Sequence, residues 1–262
     1  MTIQYLVYDI ESIVDKQLLN RVLYQDKGLA DQEAFSLYIK KIEEEKGNNF
    51  PNPAFHVPVC IAAIAVDKDF TIQKIGLLGE EKRTPGAIVK HFWDMYNRGS
   101  FILVDFNGRG YDLRLMELWA FRQGIPIHYK HFDKFGVRYR YSDDKHLDLH
   151  EVVTNNMSIR YQGGLNLLAK MLNKPGKMET NGAMVQDLHD QNKIDEIEDY
   201  CLGDALDTYF VFLRWKVVRG SLSLAQETDL VEKARERIKQ HANETGQLKK
   251  YLERFGSWAP WE

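Results

Sequence analysis

Cysteine is scarce in this chain: Cys60 and Cys201 are the only two in 262 residues, and no C-x-x-C spacing surrounds them. A disulfide framework and a thiolate metal site are both excluded by that scarcity. The eight histidines form no H-E-x-x-H pattern, so zinc finds no site among them either. Cys201 reads as a small buried residue rather than a nucleophile. Long hydrophobic runs are also lacking. With no apolar stretch of about 18 residues and no N-terminal apolar signal core, the chain is expected to be cytoplasmic, with no membrane segment. Nor is there an excess of positive charge: 35 Lys and Arg stand against 38 Asp and Glu, a net charge of −3. This balance argues against a protein that coats duplex nucleic acid through a broad basic surface.

What the chain does have is three short stretches that gather carboxylates. In IQYLVYDIES, Asp9 and Glu11 stand two apart in a run of aromatic and branched residues. The two-residue period of a strand sends both acids to one face. The run FILVDF leads to Asn107 and Gly108, and Asp112 then opens YDLRLMELWAFRQG, an amphipathic helix closed by Gly124. In YCLGD, Tyr200 and Asp204 are four apart within a long helical pattern, which stacks them on one side.

Two carboxylates about 4 Å apart repel by roughly 4 kcal/mol at an effective dielectric near 20. A cluster of four therefore needs protons or cations, and only cations leave the acids useful as ligands at neutral pH. All-oxygen ligands select hard ions, so two divalent cations, Mg²⁺ or Mn²⁺, are the expected cofactors. Taken singly, each motif has an ordinary reading: a solvated strand end, an acid in a first helical turn, a packed tyrosine beside an exposed acid. Their joint occurrence, in order and each on the right element, points to a metal-dependent nuclease.

At these residues the chain resembles the DEDD superfamily of 3′-5′ exonucleases, in the tyrosine-bearing branch, and within it stand-alone predicted exonucleases related to the proofreading domain of family B DNA polymerases. YDIES resembles the first motif, FNGRGYD the second and YCLGD the third. The resemblance implies Asp9, Glu11, Asp112 and Asp204 as metal ligands, Tyr200 as the group that places the attacking water, and Asn107 near the terminal nucleotide. It covers roughly residues 5 to 215. Ser12 stands where the family has threonine, keeping a hydroxyl for substrate and losing a methyl. Arg109, beside flexible glycines, is expected to reach a phosphate, with Arg114 a weaker candidate, and Tyr111 is expected to face substrate.

The expected fold is α/β, a ribonuclease H-like mixed β-sheet flanked by α-helices, with a helical C-terminal region. VCIAAIAVD and TIQKIGLLGE read as hairpin partners of the first strand. TPGAIVKHFWDMYNRG reads as a crossover helix capped by Thr84, and a further strand is expected near Ile125 to His128. Residues 1–220 are taken as the exonuclease domain and 221–262 as a charged helical extension, an added arm. Within the domain, 13–57 forms a helical insertion, either solvated or a wall of the substrate groove, the first being preferred. The segment HYKHFDKFGVRYRYSDDKHLD interleaves Lys130, Lys134, Arg138 and Arg140 with Tyr129, Phe132, Phe135, Tyr139 and Tyr141. It reads equally as a single-strand binding surface or as a twisted hairpin with one aromatic face in the core. The expected activity is hydrolysis at DNA 3′ ends, single-stranded or frayed, releasing nucleoside 5′-monophosphates by a two-metal route. The alternatives are RNA as substrate and a catalytically silent nucleic-acid-binding module.

Overall fold

A computed structural model describes residues 2–47, 50–79, 82–178 and 182–260, without the side chains of Lys46 and Ala183. Glu80, at the end of the third strand pattern, and the last two residues of the C-terminal extension lie outside the described residues. The strands are β1 (Ile3–Val14), β2 (His56–Asp67), β3 (Ile72–Leu77), β4 (Ile102–Asp105) and β5 (His146–Asp148). The helices before β5 are α1 (Lys16–Leu23), α2 (Asp31–Lys46), α3 (Pro85–Arg98) and α4 (Asp112–Gln123). Those after it are α5 (Leu149–Val153), α6 (Gly164–Met171), α7 (Val185–Asp190), α8 (Ile194–Val218), α9 (Leu224–Thr245) and α10 (Lys249–Glu253).

The sheet runs β3-β2-β1-β4-β5, with β2 antiparallel to both neighbours and β1, β4 and β5 mutually parallel. This is the mixed sheet flanked by helices that the sequence leads one to expect. Antiparallel pairing of the first three strands follows from their short connections or insertion, while the parallel step from β3 to β4 needs the α3 crossover. Alternation along β1 divides the core. Leu6, Tyr8 and Ile10 pack with Phe92 and Trp93 of α3 and Leu113 and Met116 of α4. Val7 faces the other way, into a cluster with Cys201, Ala205 and Tyr209 of α8. Each large apolar side chain so buried contributes about 1.5–3 kcal/mol. No helix among the described residues is long and apolar enough to cross a membrane.

Two local expectations are corrected. Residues 125–128 form no strand; the fifth strand is His146–Asp148. Pro126 has no N–H for a ladder, and the Asn97 side chain takes the free groups instead, donating to the Pro126 carbonyl (2.8 Å) and accepting from the His128 N–H (2.8 Å). The 128–145 segment is not a hairpin but a run of turns around buried Val137, with Tyr129, Phe132, Phe135 and Tyr141 exposed. The 13–57 segment holds two helices, α1 and α2, that close a small core of their own from Val14, Leu19, Ala34, Tyr38 and Ile42.

Candidate active site

The period of β1 that turns Val7 toward α8 does the same for Asp9 and Glu11. A thiol contact from Cys201 Sγ to the Asp9 carbonyl (3.4 Å) fixes α8 against that strand. One helical turn along, Asp204 comes into line with Tyr200. As a result, ligand oxygens of Asp9, Glu11 and Asp204 all lie within 4.8 Å of one another. Asp112, in the first turn of α4, lines the same cavity of about 450 Å³ as Asp9 and Glu11.

The loop that delivers Asp112 is strapped by two buried acids at the ends of β4 and β5. Asp105 accepts from the Gly108 N–H (3.0 Å), and Asp148 accepts from the N–H groups of Asn107 (2.9 Å) and Arg109 (3.0 Å). His146 Nε2 holds the other Asp105 oxygen at 2.6 Å. A Cβ at Gly108 would run into the Asp105 carboxylate, so the turn requires glycine there. Asn107 itself adopts φ 73°, a left-handed conformation that asparagine tolerates better than most residues.

Burial raises the carboxyls of Asp9, Glu11 and Asp112 well above the ordinary range, and mutual repulsion raises them further, chiefly from Asp204 on Asp9 and from Asp9 on the other two. Asp204 is pushed up to about 6 by burial, tempered by Tyr200 and Lys177. One oxygen of Asp9, Oδ2, is buried with no hydrogen-bond partner among the described residues. A cluster of hard oxygens with an orphaned lone pair and repelled charge fits divalent cations. Tyr200 is buried, and its phenol is driven far from ionisation first by burial and then by Asp204, Glu11 and Asp9.

Beside the acids sits a compact hydroxyl hub. Ser12 Oγ lies 2.5 Å from Tyr111 Oη and 2.9 Å from His56 Nδ1, and Tyr111 Oη lies 2.7 Å from the same nitrogen. Burial lowers His56 to about 4, so at neutral pH its Nδ1 is available to accept from one of the two hydroxyls. Phe50 stacks on the His56 ring (centroids 5.3 Å, 29°) and meets Tyr111 edge-on (5.6 Å). The 13–57 segment thus edges the cavity through Phe50, Pro53 and His56. Sequence reasoning passed over Phe50 and His56, and no local pattern marks them. It also passed over Asp105 and Asp148, whose positions at strand ends were the available signal.

Ser12, Asn107 and Tyr111 line the cavity. Arg109 does not. Its guanidinium is buried, pairs with Glu151 (2.8 Å) and donates to the carbonyls of Tyr139 (3.1 Å) and His146 (2.7 Å). The expectation of a phosphate contact is corrected accordingly: the strap from Asp148 turns the side chain inward. Arg114 is bound to Glu117 on α4 (2.8 Å).

Among solved structures, an ExoI/SSB-Ct complex is similar at 14% identity and a TM-score of 0.40, over 93% of this chain and 46% of that one. The chain thus spans less than half the length of that structure's chain. No curated protein matches the sequence. Residues 48–255, a span that holds Asn107, Asp112, Tyr200, Asp204 and both C-terminal helices, match the model of a family described as predicted 3′-5′ exonucleases related to the exonuclease domain of PolB, and the chain belongs to that family.

Proposed function

We propose that the chain hydrolyses phosphodiester bonds at DNA 3′ ends in the cytoplasm, releasing nucleoside 5′-monophosphates, with single-stranded or frayed ends as substrate. The observation that carries this reading is the convergence of Asp9, Glu11 and Asp204 beside Asp112, with one Asp9 oxygen buried and unsatisfied among the described residues. Two divalent cations, Mg²⁺ or Mn²⁺, held by these four carboxylates would supply an acidified water at neutral pH and offset the charge that develops on the leaving 3′ oxygen. Asp9, Glu11, Asp112 and Asp204 act as ligands and, being already crowded, lose their mutual repulsion when loaded. Tyr200 keeps its proton at Oη and orients the attacking water by hydrogen bond, since a phenol shifted further from ionisation is no base at neutral pH. The Ser12–Tyr111–His56 hub meets the sugar of the terminal nucleotide, Asn107 contacts that nucleotide, and Phe50 over His56 offers a face for its base.

The test is digestion of 5′-labelled single-stranded DNA, with an RNA of the same sequence alongside, in Mg²⁺, Mn²⁺ and EDTA, using wild type and Asp112→Ala. A metal-dependent ladder that shortens the DNA from its 3′ end and vanishes in the variant is the expected result. Degradation of RNA alone would move the substrate to RNA, and no degradation by folded protein under either metal would leave a silent binding module.

A further inference from the structure

Far from the acids, at the opposite end of β4, lies a second and larger cavity of about 650 Å³. Its lining joins Phe101, just before β4, to the 128–145 turns. Four steps of extended chain at about 3.3 Å each, from Phe101 to Asp105, set this cavity roughly 13 Å from the start of the Asn107 turn. Lys130, Lys134 and Lys145 line it, all exposed and none in an ion pair among the described residues. A neighbouring cavity of about 1030 Å³ shares Gly99, Ser100 and Phe101, and across the two cavities seven Lys and Arg face three Asp, in a chain whose net charge is −3.

The cations come with aromatic faces. Phe135 (64% exposed), Tyr139 and Tyr141 (70% exposed) form an edge-to-face line, with centroids 5.1 and 5.8 Å apart, that leads from the cavity back toward the Arg109 loop. This line is braced from beneath: Arg138 pairs with Glu117 (2.7 Å) and Arg140 with Glu151 (2.5 Å). The two arginines are therefore structural, and the lysines and rings are left as the outward groups.

We propose that this surface is a second nucleic-acid site, remote from the acids, that takes the phosphates and bases of a single strand upstream of the end being trimmed. It rests on the reading of the chain as an exonuclease. Cations without ion-pair partners beside exposed rings suit a single strand better than an acidic peptide, which would use the charge and leave the rings idle. An enzyme holding the strand at two points, one at each end of β4, distinguishes long substrates from short ones.

The test is fluorescence anisotropy in EDTA, where no turnover occurs, with labelled oligothymidylates of about thirty and about four nucleotides. The proteins are wild type, Lys130→Glu with Lys134→Glu, and Phe135→Ala with Tyr141→Ala, all in the full chain and checked for folding by circular dichroism. Affinity for the long strand is expected to fall about tenfold or more in each variant, with little change for the short one. The slope of log K against log salt should also flatten by about 1.4 in the lysine variant, about 0.7 for each lost phosphate contact. Unchanged affinity for the long strand in both folded variants overturns the proposal. So does displacement of the long strand by an oligo-aspartate peptide as readily as by unlabelled DNA, which would make this a peptide surface. Because binding is read without metal, a silent catalytic site leaves the result intact, and a failed second site leaves the trimming assay intact.

Discussion

Tyr200 stands against Asp204, beside Glu11 and Asp9, and each neighbour makes its ionisation harder. A role in orientation survives partial replacement, whereas a role as ligand does not. Tyr200→Phe is expected to lower kcat by about 10²-fold, the loss of one well-placed hydrogen bond, while Asp9→Ala or Asp112→Ala should drop metal-dependent turnover to background. Equal losses in all three would assign Tyr200 to the proton transfer itself. The acids also set a pH dependence. Asp204 titrates near 6 when folded and metal-free, against an ordinary value near 3.9. Its contribution is fully present below about 3.9 and is lost as pH rises through about 6, and the other three acids shift in the same direction. A cation reverses that loss, so Mn²⁺ should raise the melting temperature more at pH 8 than at pH 5. At about 100 times its Kd it adds roughly 2.7 kcal/mol, or about 5 to 10 °C in a chain of this size. A melting shift that is equal at both pH values would contradict this.

The elements that carry the acids were legible in the sequence because each follows a short-range period: alternation in β1, the turn into α4 and the four-residue spacing within α8. The Thr84 cap and the Gly124 stop are local signals of the same kind, and both hold in the structure. What was not legible depends on contacts between distant segments. Pro126 should have weighed against a strand at 125–128, but the bonds from Asn97 that fix the alternative come from α3. Phe50 and His56 reach the cavity only because α1 and α2 fold back with a core of their own. Arg109 turned inward for a reason far along the chain, the acids at the end of β5 and in α5. That placement can be tested directly. With Arg109→Ala, Glu151 stays buried with only Arg140 to pair it, and stability should fall by about 3 kcal/mol in urea denaturation. KM for a DNA strand, measured well below the melting temperature, should change little. A large rise in KM with unchanged stability would restore Arg109 to the substrate.

At the scale of the molecule, the sequence suggested an arm where the structure has a wall. Apart from the buried Glu227, the acids and bases of α9 are mostly exposed; Leu230, Ala234 and Ile238, with Leu248 and Tyr251, enter the same cluster as Val7 and Tyr209. Polar ties reinforce the packing, from the Leu248 N–H to Asp199 (2.9 Å) and between Arg214 and Glu227 (2.8 Å). Removing residues beyond Gly220 would strip several side chains worth about 1.5–3 kcal/mol each from a fold whose net stability is about 5–15 kcal/mol. The truncated chain is therefore expected to be insoluble or molten by circular dichroism, and a cooperative, active 1–220 fragment would show the tail to be dispensable. The contact at the centre of this docking also has a pH signature. Tyr251 Oη donates to Asp207 Oδ1 (2.8 Å), joining α10 to α8, and burial pushes the Asp207 carboxyl up to about 7. The group favours the fold below about pH 3.9, and that advantage is lost as pH rises through about 7, when a charge must be held in the core. Asp207→Asn keeps the acceptor for Tyr251 and removes the charge. Measured in EDTA, where both proteins share the pH dependence of the acid cluster, the variant should gain on wild type by roughly 3 kcal/mol between pH 5 and pH 8.5. Parallel stability curves over that range would mean that Asp207 is ionised throughout, with its charge satisfied by Tyr251 and its neighbours.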